Sequence, residues 1–254
     1  MIDYISAIHQ RISRRSYLDE PIGEQELATL QEEIARANEQ SGLAITFLAD
    51  GSEAFDGIKS YGMFSGVRSM IVLKGRKTLE HLKEKVGYYG EQLVLAATAL
   101  GLGTCWVGGT FDRDSEVFHL PEGEEIVCVI TVGKVVQSTL KEKVIRGMIH
   151  RKTKSIEEMT RTDRPLSPEE EAAMELVQHA PTARNTQKVV FSFSGDRITA
   201  GMPDDAPFDL VDLGICKLHF ALGMRELFPH CGFVWGNAGV FDPGLGLHTE
   251  QNQE

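Results

Sequence analysis

One succession of elements is legible twice in this chain, and that repetition constrains its fold more than any other feature. Hydrophobic spacing predicts helix, strand, long helix and tryptophan-containing strand, and the same order then returns. The chain's two tryptophans stand at matching places. Trp106-Val107-Gly108-Gly109-Thr110-Phe111-Asp112 resembles Trp235-Gly236-Asn237-Ala238-Gly239-Val240-Phe241-Asp242. The approach to each repeat also matches, Glu20-Pro21-Ile22-Gly23-Glu24 against Arg164-Pro165-Leu166-Ser167-Pro168. We read an internal duplication, with one half over residues 1–150 and the other over 151–254. A duplicated chain can fold as a pseudo-dimer, and a site where its halves meet would draw residues from both.

The elements follow from periodicity and punctuation. Ile5, Ile8 and Ile12 behind Asp3 predict a helix over 3–13, and Leu27, Leu30 and Ile34 another over 24–38. Strands are expected at 44–49, 70–74, 105–107 and 126–133. Between them a long helix over 78–100, open to interruption near Gly87 and Gly90, stops at Gly101. Residues 135–166, rich in Lys, Arg and Thr, read as the connection between halves. Ser167, Pro168 and Glu170 form a helix start with a capping box, and that helix reaches His179. Strands at 189–193, 197–200 and 233–235 and a helix over 209–227 complete the second half. That helix carries Leu213, Leu218 and Leu222 on one side, and the polar tail 248–254 is expected to fray.

Composition narrows the function classes. Of 254 residues 42% are hydrophobic, enough for a sizeable core. A net charge of −11 argues against nucleic acid or an anionic membrane as partner, while leaving room for a local anion pocket. No apolar run approaches the roughly 20 residues of a membrane helix, and no signal peptide is legible. Cys105, Cys128, Cys216 and Cys231 form no Cys-x-x-Cys pair, which fits buried thiols in the cytoplasm. The histidines show no ligand spacing, so no metal site is expected. Neither a Gly-x-Ser-x-Gly elbow nor a phosphate-loop lysine motif is present.

Three segments could carry chemistry. Arg14-Arg15-Ser16 sets two guanidinium forks and a hydroxyl in three residues, a donor set suited to phosphate. A pair of surface arginines closing a helix explains it equally well. Residues 180–187 concentrate Thr182, Asn185, Thr186 and Gln187, whose side chains could read the edge of a polar heterocycle. An ordinary turn in which Thr182 and Asn185 bond their own backbone is the competing reading. Gly108 and Gly109 could let backbone approach a flat ring. One of Arg151, Lys152 or Lys154 could reach an anion, or all could sit on a solvated face.

Taken together these segments resemble the nitroreductase family of FMN-dependent oxidoreductases. The Arg-Arg-Ser motif, the Ala-Pro-Thr-x-x-Asn-x-Gln loop at 180–187, and the helix ending in Gly101-Leu102-Gly103 before a Trp strand carry the likeness. The arrangement resembles the TM-type branch, in which one chain mimics the usual dimer. Two positions depart from the pattern: Tyr17-Leu18-Asp19 stands where a further arginine is common, and Gln187-Lys188-Val189 replaces Gln-Pro-Trp. The resemblance implies an α+β fold, a nitroreductase-like mixed sheet flanked by helices and internally duplicated as a pseudo-dimer. It implies bound FMN, with Arg14, Arg15 and Ser16 at the phosphate. Pro181, Thr182, Ala183, Asn185 and Gln187 would meet flavin and ribityl chain, and Gly108 and Gly109 would lie close to the ring. The implied chemistry is ping-pong transfer of hydride from NAD(P)H to a nitroaromatic, quinone or similar small-molecule acceptor, in a monomer acting as a pseudo-dimer. The alternative is a flavin- or nucleotide-binding protein without turnover.

Overall fold

A computed structural model describes residues 2–55, 62–136 and 152–244. The chain divides into two compact units, Met1–Leu82 with Gln92–His150, and Lys83–Glu91 with Arg151–Glu254.

The first unit opens with α1, Tyr4–Gln10, capped by Asp3, whose side chain accepts from the Ser6 amide at 3.0 Å. It is shorter than the expected 3–13, because the chain beyond Arg11 turns extended and Ser13 bridges Thr104. Helix α2, Glu24–Ser41, ends at Gly42 in the left-handed region. Strands β1 (Thr46–Leu48), β2 (Met70–Arg76), β3 (Gly103–Val107) and β4 (Glu124–Gly133) form an antiparallel sheet in the order β1-β2-β4-β3. A cluster that includes Phe55, Met70, Val72, Phe111, Phe118 and Val129 fills one part of this core. Helix α3, Leu82–Ala99, runs unbroken through Gly87 and Gly90. Its expected first turn from residue 78 is absent, because His81 stands at φ 57° just before it.

The second unit opens with two short elements in the expected connection, α4 (Ile156–Met159) and β5 (Thr160–Thr162). The rest of that connection, residues 137–151, and the tail 248–254 lie outside the described residues. Helix α5, Pro168–Gln178, starts as expected: the Ser167 hydroxyl accepts from the Glu170 amide at 3.2 Å, and the Glu170 carboxylate from the Ser167 amide at 2.8 Å. Strands β6 (Val190–Ser194), β7 (Arg197–Gly201), β8 (Gly232–Phe233) and β9 (Gly239–Asp242) follow, with β5 added parallel to β6. The order is β5-β6-β7-β9-β8. Helix α6, Asp209–Met224, is buried on nearly every side rather than along one stripe, Val211, Ile215, Phe220 and Ala221 included. Rings of Phe191, Phe193, Phe220, Phe233 and Phe241 pack at 5.0–6.1 Å around it.

The two units share more than a list of elements. Along the chain, α2 precedes β1 and β2, α3 follows, and β3 and β4 close the first sheet; α5, β6, β7, α6, β8 and β9 repeat that succession, although the stretch Lys83–Glu91 of α3 belongs to the second unit. The order β1-β2-β4-β3 is repeated as β6-β7-β9-β8, antiparallel throughout. The tryptophans occupy nearby but unequal positions. Trp106 lies within β3, whereas Trp235 falls two residues beyond the short β8, not inside the strand expected at 233–235.

Candidate cofactor site

In the first unit, Arg14, Arg15 and Ser16 lie in an extended segment clamped on both sides rather than at a helix end. On one side the Arg14 amide donates to the Thr104 carbonyl at 2.8 Å, and the Leu18 amide to the Lys134 carbonyl at 2.9 Å. On the other, the Ser65 amide donates to the Arg15 carbonyl at 2.9 Å, and the Tyr17 amide to the Ser65 carbonyl at 3.0 Å. The Tyr17 hydroxyl locks the segment further, donating to the Arg14 carbonyl at 2.8 Å, with its oxygen 2.7 Å from the Thr131 hydroxyl. Gly66 (φ 67°) makes the clamp possible, since a Cβ there would stand 2.4 Å from the Tyr17 carbonyl oxygen.

The three side chains then divide. Arg14 is buried and its guanidinium donates to the Val136 carbonyl, while its stem packs beside Gly103. Arg15 and Ser16 are half-buried. The Ser65 hydroxyl stands 3.1 Å from that of Ser16, so it joins this donor set. Sequence reading missed Ser65, because no motif surrounds it and only the bridge Ser16–Ser65 brings it there.

Gly108 and Gly109 follow β3. Arg113 donates to the Gly108 carbonyl at 2.5 Å and to the Val127 carbonyl at 2.8 Å, and its guanidinium lies 4.9 Å from the centre of the Phe111 ring. Gly109 is exposed and nothing stands within 4 Å of where its Cβ would be. A surface depression of about 430 Å³ beside Arg113, lined by Glu116 and His119 among others, contains none of the candidate residues.

In the second unit, residues 180–187 connect α5 to β6 in a conformation held by backbone capture. The Ala183 amide donates to both carboxylate oxygens of Asp212, at 2.9 and 3.1 Å. The Asn185 amide donates to the Thr182 carbonyl at 2.8 Å, and the Gln187 amide to the Thr182 hydroxyl at 3.1 Å. Arg184, Asn185 and Gln187 all have left-handed backbones, with φ of 55°, 51° and 45°. Asparagine tolerates that region, but arginine and glutamine do not favour it, so the loop stores strain of order 1 kcal/mol or more per residue.

The loop's polar side chains do not all face outward. Gln187 is 1% exposed. Its side-chain carbonyl accepts from the Lys154 amide at 2.9 Å, and its side-chain amide donates to the Gln178 carbonyl at 3.2 Å. Lys154 in turn donates its ammonium to the Gln187 main-chain carbonyl at 2.8 Å. Gln187 thus staples the loop internally and offers no amide edge to a ligand. Pro181, Thr182 and Asn185 are half-buried, and Ala183 is exposed. Lys152 is exposed, and Arg151 lies outside the described residues. Lys188 does not simply face solvent: its ammonium pairs with Asp205, and with Asp209 at 3.1 Å.

Sequence reading did not single out Asp212. It sits in the first turn of α6, 3% exposed, and no cation contacts it among the described residues. Burial pushes its carboxyl up to about 7; the Ala183 amide opposes this, and the charge of Asp209 adds to it. Among the described residues no group of three or more His, Cys, Asp or Glu is placed to hold a metal, and the four cysteines are buried and form no disulfide.

The family model of the putative TM nitroreductases matches residues 3–224 of this chain. The chain belongs to that family. No curated protein sequence matches it. Among solved structures, one described as a putative nitroreductase from Thermotoga maritima superposes with a TM-score of 0.61 at 21% identity, covering 94% of this chain and 92% of that one. The chain therefore has the nitroreductase fold over nearly its whole length. Other similar structures cover about half of it. An FMN-dependent nitroreductase from Clostridium difficile R20291 covers 53% of this chain and 89% of that one (18% identity, TM-score 0.44). A nitroreductase with bound FMN from Bacteroides fragilis covers 55% and 92% (17% identity, TM-score 0.44).

Proposed function

We propose that this nitroreductase-family chain is an FMN-dependent oxidoreductase that passes reducing equivalents from NAD(P)H to an electron-poor small molecule, a nitroaromatic or a quinone. The observation that carries the proposal is the family match spanning the segment Arg14 to Ser16 and the loop 180–187 alike. The residues present fit the group. Arg15 and Ser16, on a segment hydrogen-bonded from both sides, and Ser65 beside them form a donor set suited to a phosphate monoester. Arg14 supports that set by fixing the strand to the Val136 carbonyl. Exposed Gly109 leaves open ground beside the backbone. Thr182, Ala183 and Asn185 lie on a loop whose shape is fixed from beneath by Gln187 and Asp212.

FMN, when bound, supplies the two-electron redox chemistry. The chain's residues bind and orient it. Arg15 and Ser16 hold charge at the phosphate end, and Pro181, Thr182 and Asn185 offer a half-buried polar edge to the heterocycle. We assign one FMN to each chain, because each motif occurs once and neither unit carries both.

Anaerobic addition of NADH or NADPH to the purified protein tests the activity. The protein should be yellow, and at least one nicotinamide should bleach it, with colour returning on addition of a quinone. A yellow protein that neither nicotinamide bleaches would replace this reading with that of a flavin-binding protein without turnover. A colourless protein that ignores added FMN would remove the flavin altogether.

A further inference from the structure

The loop 180–187 places residues in the left-handed region at three of its last four positions, so something must hold it there. One hold is the Ala183 amide, which donates to both Asp212 carboxylate oxygens, at 2.9 and 3.1 Å. That carboxylate is buried, and among the described residues it has no ion-pair partner. A hydrogen bond to an ionised acceptor is roughly twice as strong as one to a neutral acceptor. The protonation state of one side chain therefore sets the strength of the bond that fixes the strained loop.

We propose that Asp212 is a positioning residue that anchors the loop 180–187 through the Ala183 amide and slackens that anchor when its carboxylate takes up a proton. Burial raises its carboxyl to about 7, which puts the transition in the neutral range. On its own helix, Asp209 one turn earlier favours protonation, and the Cys216 thiol is pushed well up by burial and by the charges of Asp212 and Glu91. From the loop's end, Lys188 opposes protonation but is held by Asp205 and Asp209. Arg184, within the loop, is exposed. On the stretch Lys83–Glu91, Glu91 is engaged with the His219 ring at 3.1 Å.

The consequence for cofactor affinity rests on the flavin reading, but the anchor itself does not. The test is nitrogen-15 NMR of the flavin-free protein between about pH 5 and pH 9, wild type beside Asp212→Asn. The Ala183 amide proton should move upfield as pH falls, with a midpoint near 7. In Asp212→Asn, which keeps an acceptor oxygen but cannot ionise, it should stay flat. A wild-type Ala183 amide that does not titrate, or one that titrates equally in the variant, would overturn the proposal. Should the variant fail to fold, the carbon-13 shift of the wild-type Asp212 carboxyl serves instead, and its midpoint must coincide with that of the amide. Flavin titrations then read the consequence. Wild type should lose several-fold more FMN affinity than Asp212→Asn between pH 8 and pH 6. Absence of flavin binding at any pH would sink the functional reading while leaving the amide titration to decide the anchor.

Discussion

At the scale of residues, the sequence shows which donor groups the candidate motifs carry but not where those groups point. Arg14, Arg15 and Ser16 read identically as donors in the sequence. The fold directs Arg14 to the Val136 carbonyl and leaves Arg15 and Ser16 half-buried beside Ser65. Gln187 shows the same limit: a side chain that could read a heterocycle is turned inward because Lys154, remote in sequence, and Gln178, at the end of the preceding helix, meet it there. Arg15→Ala should weaken FMN binding by about 2 kcal/mol, roughly thirtyfold, in a fluorescence titration. Unchanged affinity would take Arg15 out of the phosphate site. Asp212 carries a stability signature as well. Its folded-state value is raised above the ordinary 3.8, so the folded chain holds the proton more tightly than the unfolded one. The stabilisation this gives is complete below about 3.8 and is lost as pH rises through about 7. The slope in that window reaches at most about 1.4 kcal/mol per pH unit. Urea unfolding at pH 5 and pH 8 should therefore show a larger fall in stability for wild type than for Asp212→Asn, and equal falls would contradict the raised carboxyl. Lys217, fully buried, pairs with Glu84 and also donates to the Val234 and Gly236 carbonyls at 3.1 and 2.9 Å. Glu84→Gln strands a buried cation and should lower unfolding free energy by about 3–5 kcal/mol.

At the scale of elements, periodicity found the long helices and glycine obscured one of them. Gly87 and Gly90 suggested an interruption in α3, yet the helix is continuous, and at Gly87 the missing side chain serves packing rather than a break. Within the second unit, the stretch Lys83–Glu91 crosses α6 so closely that a Cβ on Gly87 would lie 2.0 Å from the Val211 carbonyl oxygen. A Cβ on Gly214 would lie 2.0 Å from the Glu84 carbonyl oxygen. The two glycines face backbone, which cannot rotate away. Gly214→Ala should raise helix propensity by about 1 kcal/mol and still destabilise the protein, because the contact forces backbone apart. Thermal unfolding monitored by circular dichroism checks the sign, and a higher melting temperature would refute the crossing. The elements that sequence reading missed are short. β5, β9 and α4 have three or four residues each, too few for any period to show; strand partners hold β5 and β9, and the Ser155–Glu158 capping box holds α4. The burial of α6 on nearly all sides was invisible for a related reason, since Asp212, Lys217 and His219 interrupt its apolar pattern and are satisfied only by distant partners.

At the scale of the whole molecule, the duplication was legible as a repeated order of elements, and the structure gives it a firmer form in the shared strand order β1-β2-β4-β3 and β6-β7-β9-β8. Local likeness around the tryptophans pointed the right way while matching unequal places, because β8 is only two residues long. The motifs have not followed the repetition. Arg-Arg-Ser stands in the first unit alone and the Ala-Pro-Thr loop in the second alone. The central claim is that each chain therefore takes a single cofactor. Flavin released by denaturing the fully loaded protein, measured against protein concentration, should give a ratio of one FMN per chain. A ratio of two would mean that each unit builds its own site, and would contradict the account.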